Sequence, residues 1–276
     1  MKNAIITPAV GIEIDAAEFF IKTLRKYCND DIYILIGNKD HDLKEKLRPY
    51  NCNFYEINVH KYDVQLKRYK YFLEILEKNK NYNKVFFSDC RDIYFQSDPF
   101  KYNYKGGINF FQEDQVINQC EHSTRWITKT FGKKIYNELS DKTICCGGTV
   151  LGTYENMVRW LNLMNDLIQQ YPYKKKLKYL LTFRRDGSGR GSDQAHGNYI
   201  AYKNYFKDSF FYSNKEGPIA TVYYLNPLNF NDKSQLLNSH GEPYAVVHQY
   251  NKRWSEFSET VNLLRNNLNI IKSKPK

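Results

Sequence analysis

The stretch Lys84-Val85-Phe86-Phe87-Ser88-Asp89-Cys90-Arg91-Asp92-Ile93-Tyr94-Phe95-Gln96-Ser97-Asp98-Pro99-Phe100 decides the reading of this chain. Val85, Phe86 and Phe87 have the β-branched and aromatic character of a fully buried strand, and the run ends abruptly in two carboxylates. In an open α/β sheet ligands bind outside the carboxyl ends of the strands, so Asp89 and Asp92 are expected at a crevice. Two carboxylates three positions apart suit a hard divalent cation that in turn grips phosphate oxygens. A turn held by Asp side chains and closed by Asp98-Pro99 accounts for the same residues equally well.

Upstream, strand and helix patterns alternate. Residues 4–10 form a short apolar segment ending in a turn, and residues 16–28 carry apolar side chains at helical spacing. Residues 31–37 read as a second buried strand stopped by Gly37, residues 42–50 as a polar helix and residues 53–58 as a third strand. Residues 63–80 place Leu66, Tyr69, Phe72, Leu73 and Leu76 on one face of a long helix that leads into the Val85–Phe87 strand. The pattern predicts a single α/β domain of Rossmann-like type, with a mostly parallel central sheet and helices on both faces.

Downstream of Phe100 the alternation loosens. Residues 107–112 read as a strand, 115–139 as helical or irregular, and 143–152 as a strand interrupted by Gly147 and Gly148. Glycines inside a strand mark a bulge or the close approach of another group. Residues 154–170 read as a helix with Met157, Leu161, Met164 and Ile168 inward. The basic, glycine-rich stretch 184–194 suits either a linker or a lid over a diphosphate, since backbone amides and guanidinium groups both donate to phosphate. Asp193 is expected to cap a helix running to about residue 205. Residues 244–248 form an apolar strand ending in His248, with Lys252 and Arg253 close behind, and a last helix over 256–269 precedes a lysine-rich end.

Composition narrows the partners. The chain has 276 residues, a formal net charge of +11 and 42% hydrophobic content, enough for one substantial core. The positive balance implies an anionic partner: nucleic acid, an acidic membrane surface reached peripherally, or a phosphorylated small substrate. The 24 tyrosines and 17 phenylalanines suit stacking on bases or sugars, and equally the codon bias of an AT-rich genome. Six cysteines show neither C-x-x-C pairs nor zinc-like clustering with histidine. Their scatter through apolar segments suits thiols in a reducing compartment. The N-terminus reads as a first strand and not a signal peptide, and no apolar run reaches membrane-spanning length, so the expected location is cytoplasmic.

Asp89 and Asp92, Asp193, and His248 thus stand at the ends of three apolar segments, and their order resembles a GT-A glycosyltransferase. The segment Phe87–Phe100 resembles the SDxRDxxFQxDPF form of the DXD motif found in such enzymes. Cys145-Cys146-Gly147-Gly148-Thr149-Val150-Leu151-Gly152 resembles their strand beside the donor sugar, Ser192-Asp193-Gln194 their DQ helix start, and Val247-His248-Gln249-Tyr250 their HQY segment. The resemblance runs from the first strand to about Trp254. It divides the chain into a nucleotide-binding half over 1–100, an acceptor-side half over 101–254, and a C-terminal helix and basic tail over 255–276. It implies Mn2+ or Mg2+ held by Asp89, Asp92 and His248, and a UDP-sugar donor, UDP ahead of GDP. The donor would lie against Thr7, Pro8, Ala9, Asp89, Arg91, Gly147 and Gly148, with Arg190, Lys252 and Arg253 on its diphosphate. Arg68 either reaches the donor or salt-bridges at the surface, the surface being the favoured expectation. The acceptor is a glycan or glycoconjugate hydroxyl, with Asp193 taking its proton or stabilising an oxocarbenium-like sugar. The spacing departs from D-x-D, since this chain has D-x-x-D. Asp92 is therefore the stronger ligand candidate, while Asp89 is left to the metal, the ribose or a hold on Arg91. No nucleic acid is expected on this reading. The rival reading is a nucleic-acid-binding protein or metal-dependent nuclease that uses the basic surface and the Asp pair.

Overall fold

A computed structural model describes residues 1–61, 63–172 and 191–270. Its centre is a seven-stranded sheet in the order β3-β2-β1-β4-β7-β6-β8. These strands are β1 (Ala4–Pro8), β2 (Asp31–Gly37), β3 (Asn53–Ile57), β4 (Lys84–Ser88), β6 (Ile108–Val116), β7 (Thr143–Thr153) and β8 (Ser209–Tyr212). β1 pairs in parallel with both β2 and β4, and β2 with β3. β7 runs antiparallel between β4 and β6, and β8 pairs in parallel with β6, so β7 alone opposes the common direction of this sheet.

The sheet is buried on both faces because its apolar strands lack the alternation of a half-exposed one. On one face Ile6, Val85 and Phe87 pack with Tyr69 and Phe72 from α3 (Val64–Lys78) and with Trp160 and Leu161 from α6 (Tyr154–Gln170). On the other, Ile5, Phe86 and Leu151 pack with Phe20, Ile21 and Leu24 from α1 (Ile14–Arg25). Burial of each such side chain contributes about 1.5–3 kcal/mol, which fixes the strand–helix order. Two shorter helices, α4 (Glu121–Phe131) and α5 (Lys133–Leu139), fill the span between β6 and β7; α2 (His41–Leu47) precedes β3.

A second, three-stranded sheet finishes the site. β5 (Ile93–Phe95) follows Asp92 directly and pairs antiparallel with β12 (Val246–His248), which pairs in parallel with β9 (Ile219–Thr221). A further small pair, β10 (Asn229–Phe230) and β11 (Leu236–Leu237), lies outside it. Val247 shares a core with Phe19, Tyr94, Phe257 and Val261. Phe257 and Val261 belong to α8 (Trp254–Asn267), and Arg265 of that helix bonds Asp15 at 2.8 Å, so the C-terminal helix is docked on α1.

Several boundaries differ from the sequence reading. The last strand is only Val246–His248, and the helix α7 (Ser192–Tyr202) stops three residues early. Asp193 does not cap it: Gly191, at φ +82°, holds the N-cap position and Asp193 lies inside the first turn. The inner face of α3 holds Val64, Arg68, Tyr69, Phe72, Ile75 and Leu76, while Leu66 and Leu73 are only half-buried. No helix among the described residues is long and apolar enough to cross a membrane.

Candidate metal centre at the carboxyl edge of the sheet

Asp89 follows the last residue of β4 at the carboxyl edge, where the open ends of parallel strands face a crevice. Its amide donates to the Gly148 carbonyl at 2.8 Å, which ties the turn to β7. Asp92 is set by β5. The β5–β12 register puts His248 opposite Ile93, and the Gln249 amide donates to the Asp92 carbonyl at 2.8 Å. Two backbone ladders therefore bring together groups from distant parts of the chain.

The result is a cluster in which one ligand atom each from Asp89, Asp92 and His248 lies within 4.8 Å of the others. His248 Nε2 is 3.5 Å from Asp92 Oδ1 and 3.8 Å from Asp89 Oδ2. Two metal–ligand bonds of about 2.0–2.2 Å span up to about 4.4 Å, so these distances suit one shared ion. Two carboxylate oxygens with one imidazole nitrogen could hold a divalent cation, and are a less soft set than thiolates would make.

Electrostatics reinforce the grouping. Burial alone would raise the Asp92 carboxyl, but His248, with Lys252 and Arg91 behind it, outweighs that effect and holds it below the usual carboxylate range. Burial likewise opposes charge on His248, yet Cys146 and Asp92 raise its imidazole well above the ordinary histidine value. Cys146 Sγ lies 3.2 Å from His248 Nδ1, so Nε2 is the nitrogen turned to the two carboxylates. Cys146 was not singled out by the sequence. The signal was there in the alternation of the strand, since Cys146 and Gly148 lie two apart and share a face.

Gly148 has a steric reason. A Cβ on it would stand 2.6 Å from His248 Cε1 and 2.7 Å from Asp89 Oδ2. At Gly147 the obstacle is Gln194, whose Cβ would be 2.9 Å away, so the glycine pair lets β7 pass between the cluster and α7.

Arg68 is the principal correction. The expectation of a surface ion pair fails because Arg68 is 3% exposed and spans two carboxylates. Its Nη1 donates to Asp89 Oδ1 at 2.6 Å and its Nη2 to Asp193 Oδ2 at 2.8 Å. The guanidinium also lies over the Phe87 ring at 4.7 Å, a cation–π contact that offsets part of its desolvation. Burial raises Asp193 and Asp89 adds repulsion, against which Arg68 pulls it down; the balance leaves Asp193 above its ordinary value. Asp89 does not hold Arg91, which instead pairs with Glu13 at 3.2 Å.

The remaining expected residues divide. Thr7 and Ala9 have no exposed surface and Pro8 is buried with them, so β1 ends under the site and not in it. Lys252 is exposed and acts on Asp92 through its charge. Arg253 is engaged elsewhere, with Glu256 at 2.7 Å and the Leu225 carbonyl at 2.8 Å. Arg190 lies outside the described residues. Another group the sequence reading passed over is Glu113 on β6, whose carboxyl burial pushes up to about 7. All six cysteines are free thiols.

No protein-family model matches the chain, and a search of curated proteins finds no match to it.

Proposed function

We propose that this protein is a metal-dependent glycosyltransferase that moves a sugar from a nucleoside-diphosphate sugar to a hydroxyl of a glycan or glycoconjugate. One observation carries the reading: Asp89, Asp92 and His248 converge within 4.8 Å at the carboxyl edge of a mostly parallel sheet. That edge is where α/β domains bind nucleotides, and the ligand set suits an ion that binds phosphate oxygens. The preference for UDP over GDP comes from the resemblance of the motifs alone.

When bound, Mn2+ or Mg2+ would supply positive charge to a diphosphate leaving group. The chain's own residues do the rest. Asp89, Asp92 and His248 would hold the ion, and Lys252 adds an exposed cation whose charge reaches Asp92. Arg68 fixes the Asp89 side chain and couples it to Asp193. Asp193, raised by burial, is the carboxylate proposed to accept the acceptor's proton or to face positive charge on the sugar.

Calorimetry with UDP, with GDP and with a single-stranded oligonucleotide, each with and without Mn2+, tests this reading. Metal-dependent binding of UDP or GDP that is lost in Asp92→Ala is expected. Tight oligonucleotide binding with a steep salt dependence, and no nucleotide binding, would overturn it in favour of the nucleic-acid reading.

A further inference from the structure

Glu113 is 5% exposed, and the charge of His248 only partly offsets the burial of its carboxyl. A buried carboxyl offset only in part costs free energy that a folded chain ordinarily avoids, and a ligand is one way to satisfy it. Glu113 lines a cleft of about 330 Å³ together with Gln112, Asp114, Gln119, Ser213 and Asn214. Asp114 beside it interacts with Asn214 and Lys215, while its Oδ2 is buried and left without a hydrogen bond.

The cleft lies at the ends of β6 and β8, beside the start of β7. β4, β6 and β8 run in one direction, so this is the same sheet edge that carries Asp89. A physical link joins it to the metal cluster. The Thr221 amide donates to Asn214 Oδ1 at 2.8 Å, and Asn214 Nδ2 donates back to the Thr221 carbonyl at 3.0 Å. Thr221 is in turn the register partner of His248 in the β9–β12 pair.

The lining selects a ligand class. Glu113 and Asp114 stand against one lysine, Lys215, so a phosphate would meet net repulsion. Side-chain amides and carboxyls side by side match hydroxyl groups, each of which donates and accepts. A volume near the lower end of small-molecule sites, roughly 300–1,000 Å³, admits a single ring.

We infer that this cleft binds a neutral sugar through its hydroxyls, with Glu113 as the principal acceptor, and that it seats the sugar acceptor of the proposed transfer. The assignment of that sugar as acceptor rests on the transferase reading; the site for a neutral sugar stands on the cleft itself.

Saturation-transfer NMR with methyl glycosides of glucose, galactose, mannose and N-acetylglucosamine tests it, in wild type and in Glu113→Gln. At least one glycoside should bind the wild type, and Glu113→Gln should weaken it about tenfold, the loss of one charge-assisted hydrogen bond. The same variant should melt at a higher temperature than wild type, because burial of the Glu113 carboxyl outweighs what the charge of His248 returns. A carboxyl with a merely structural role would give the reverse shift. Mn2+-dependent UDP binding should change less than glycoside binding does, since Glu113 reaches the cluster only through its charge on His248. If no glycoside binds, if binding is unchanged in Glu113→Gln, or if Mn2+ alone occupies the cleft, the inference fails. If a glycoside binds through Glu113 while UDP and GDP do not bind with Mn2+, the sugar site stands and the transferase reading falls.

Discussion

Arg68 holds Asp89 and Asp193 at once, with 2.6 Å to the first and 2.8 Å to the second. The two carboxylates belong to the β4 turn and to the first turn of α7, so one buried guanidinium ties both to α3. Each arm of its fork serves a different acid, which a lysine could not do in the same geometry. Burying a cation between two anions costs desolvation, and its return is orientation: Asp89 Oδ1 is taken by Arg68, which leaves Oδ2 for the ion.

Arg68→Met should therefore destabilise the fold by about 3–5 kcal/mol, because it strands two carboxylates without their cation. Urea unfolding measures the loss. The deficit should shrink as pH falls toward the ordinary carboxylate value, where Asp193, already raised by burial, takes up a proton and ceases to be an unpaired charge. A deficit independent of pH would mean that lost packing over Phe87, and not the broken triad, is responsible.

Metal affinity should rise with pH. His248 must be neutral at Nε2 to bind an ion, yet in the metal-free site it is held protonated well above its ordinary value by Cys146 and Asp92, against the effect of burial. Release of one proton per ion predicts a gain of up to about tenfold in Mn2+ affinity per pH unit below the raised value, read by calorimetry. His248→Ala should bind more weakly and flatten the dependence. The metal-free stability has the opposite trend. The histidine's contribution is fully present below its ordinary value and is lost as pH rises through the raised one; that of Asp92 is lost as pH falls.

Gly148→Ala should weaken metal binding while leaving the fold standing. The new methyl would meet His248 Cε1 at 2.6 Å and Asp89 Oδ2 at 2.7 Å, and the side chains at the sheet edge can yield where the backbone of β7 cannot. Circular dichroism should stay native while Mn2+ affinity falls by at least about tenfold, the scale of one misplaced ligand. Retained affinity would show that the ion, if bound, lies away from β7.

The run Val85-Phe86-Phe87 ending in Asp89 was enough to place a carboxylate at the sheet edge, because a period-free apolar strand can only be central. His248 was legible for the same reason, as the polar end of an apolar segment. Arg68 was misjudged because a lone cation on a helix ordinarily reads as exposed, although Val64, Arg68, Phe72 and Leu76 recur at four-residue spacing and all four are buried. Its partner Asp193 lies 125 positions away, and no local pattern records a pairing of that range. Glu113 was hidden by β6 itself, whose register shifts at Phe110/Gln112 and Gln112/Val116, so simple alternation cannot say which way its polar residues face.

Cys146 should act as a positioning residue for His248. Its Sγ is 3.2 Å from His248 Nδ1 and accepts from the Gly148 amide at 3.4 Å, so the thiol sits between the strand and the ring. Fixing Nδ1 fixes the direction of Nε2, and loss of such an outer contact costs about 10–100-fold in metal affinity in comparable centres. Cys146→Ala should show that loss with little change in melting temperature, while Cys146→Ser, which keeps a donor and acceptor at the same place, should recover most of it. Equal Mn2+ affinity in wild type and Cys146→Ala would instead mean that the β5–β12 ladder alone orients the imidazole.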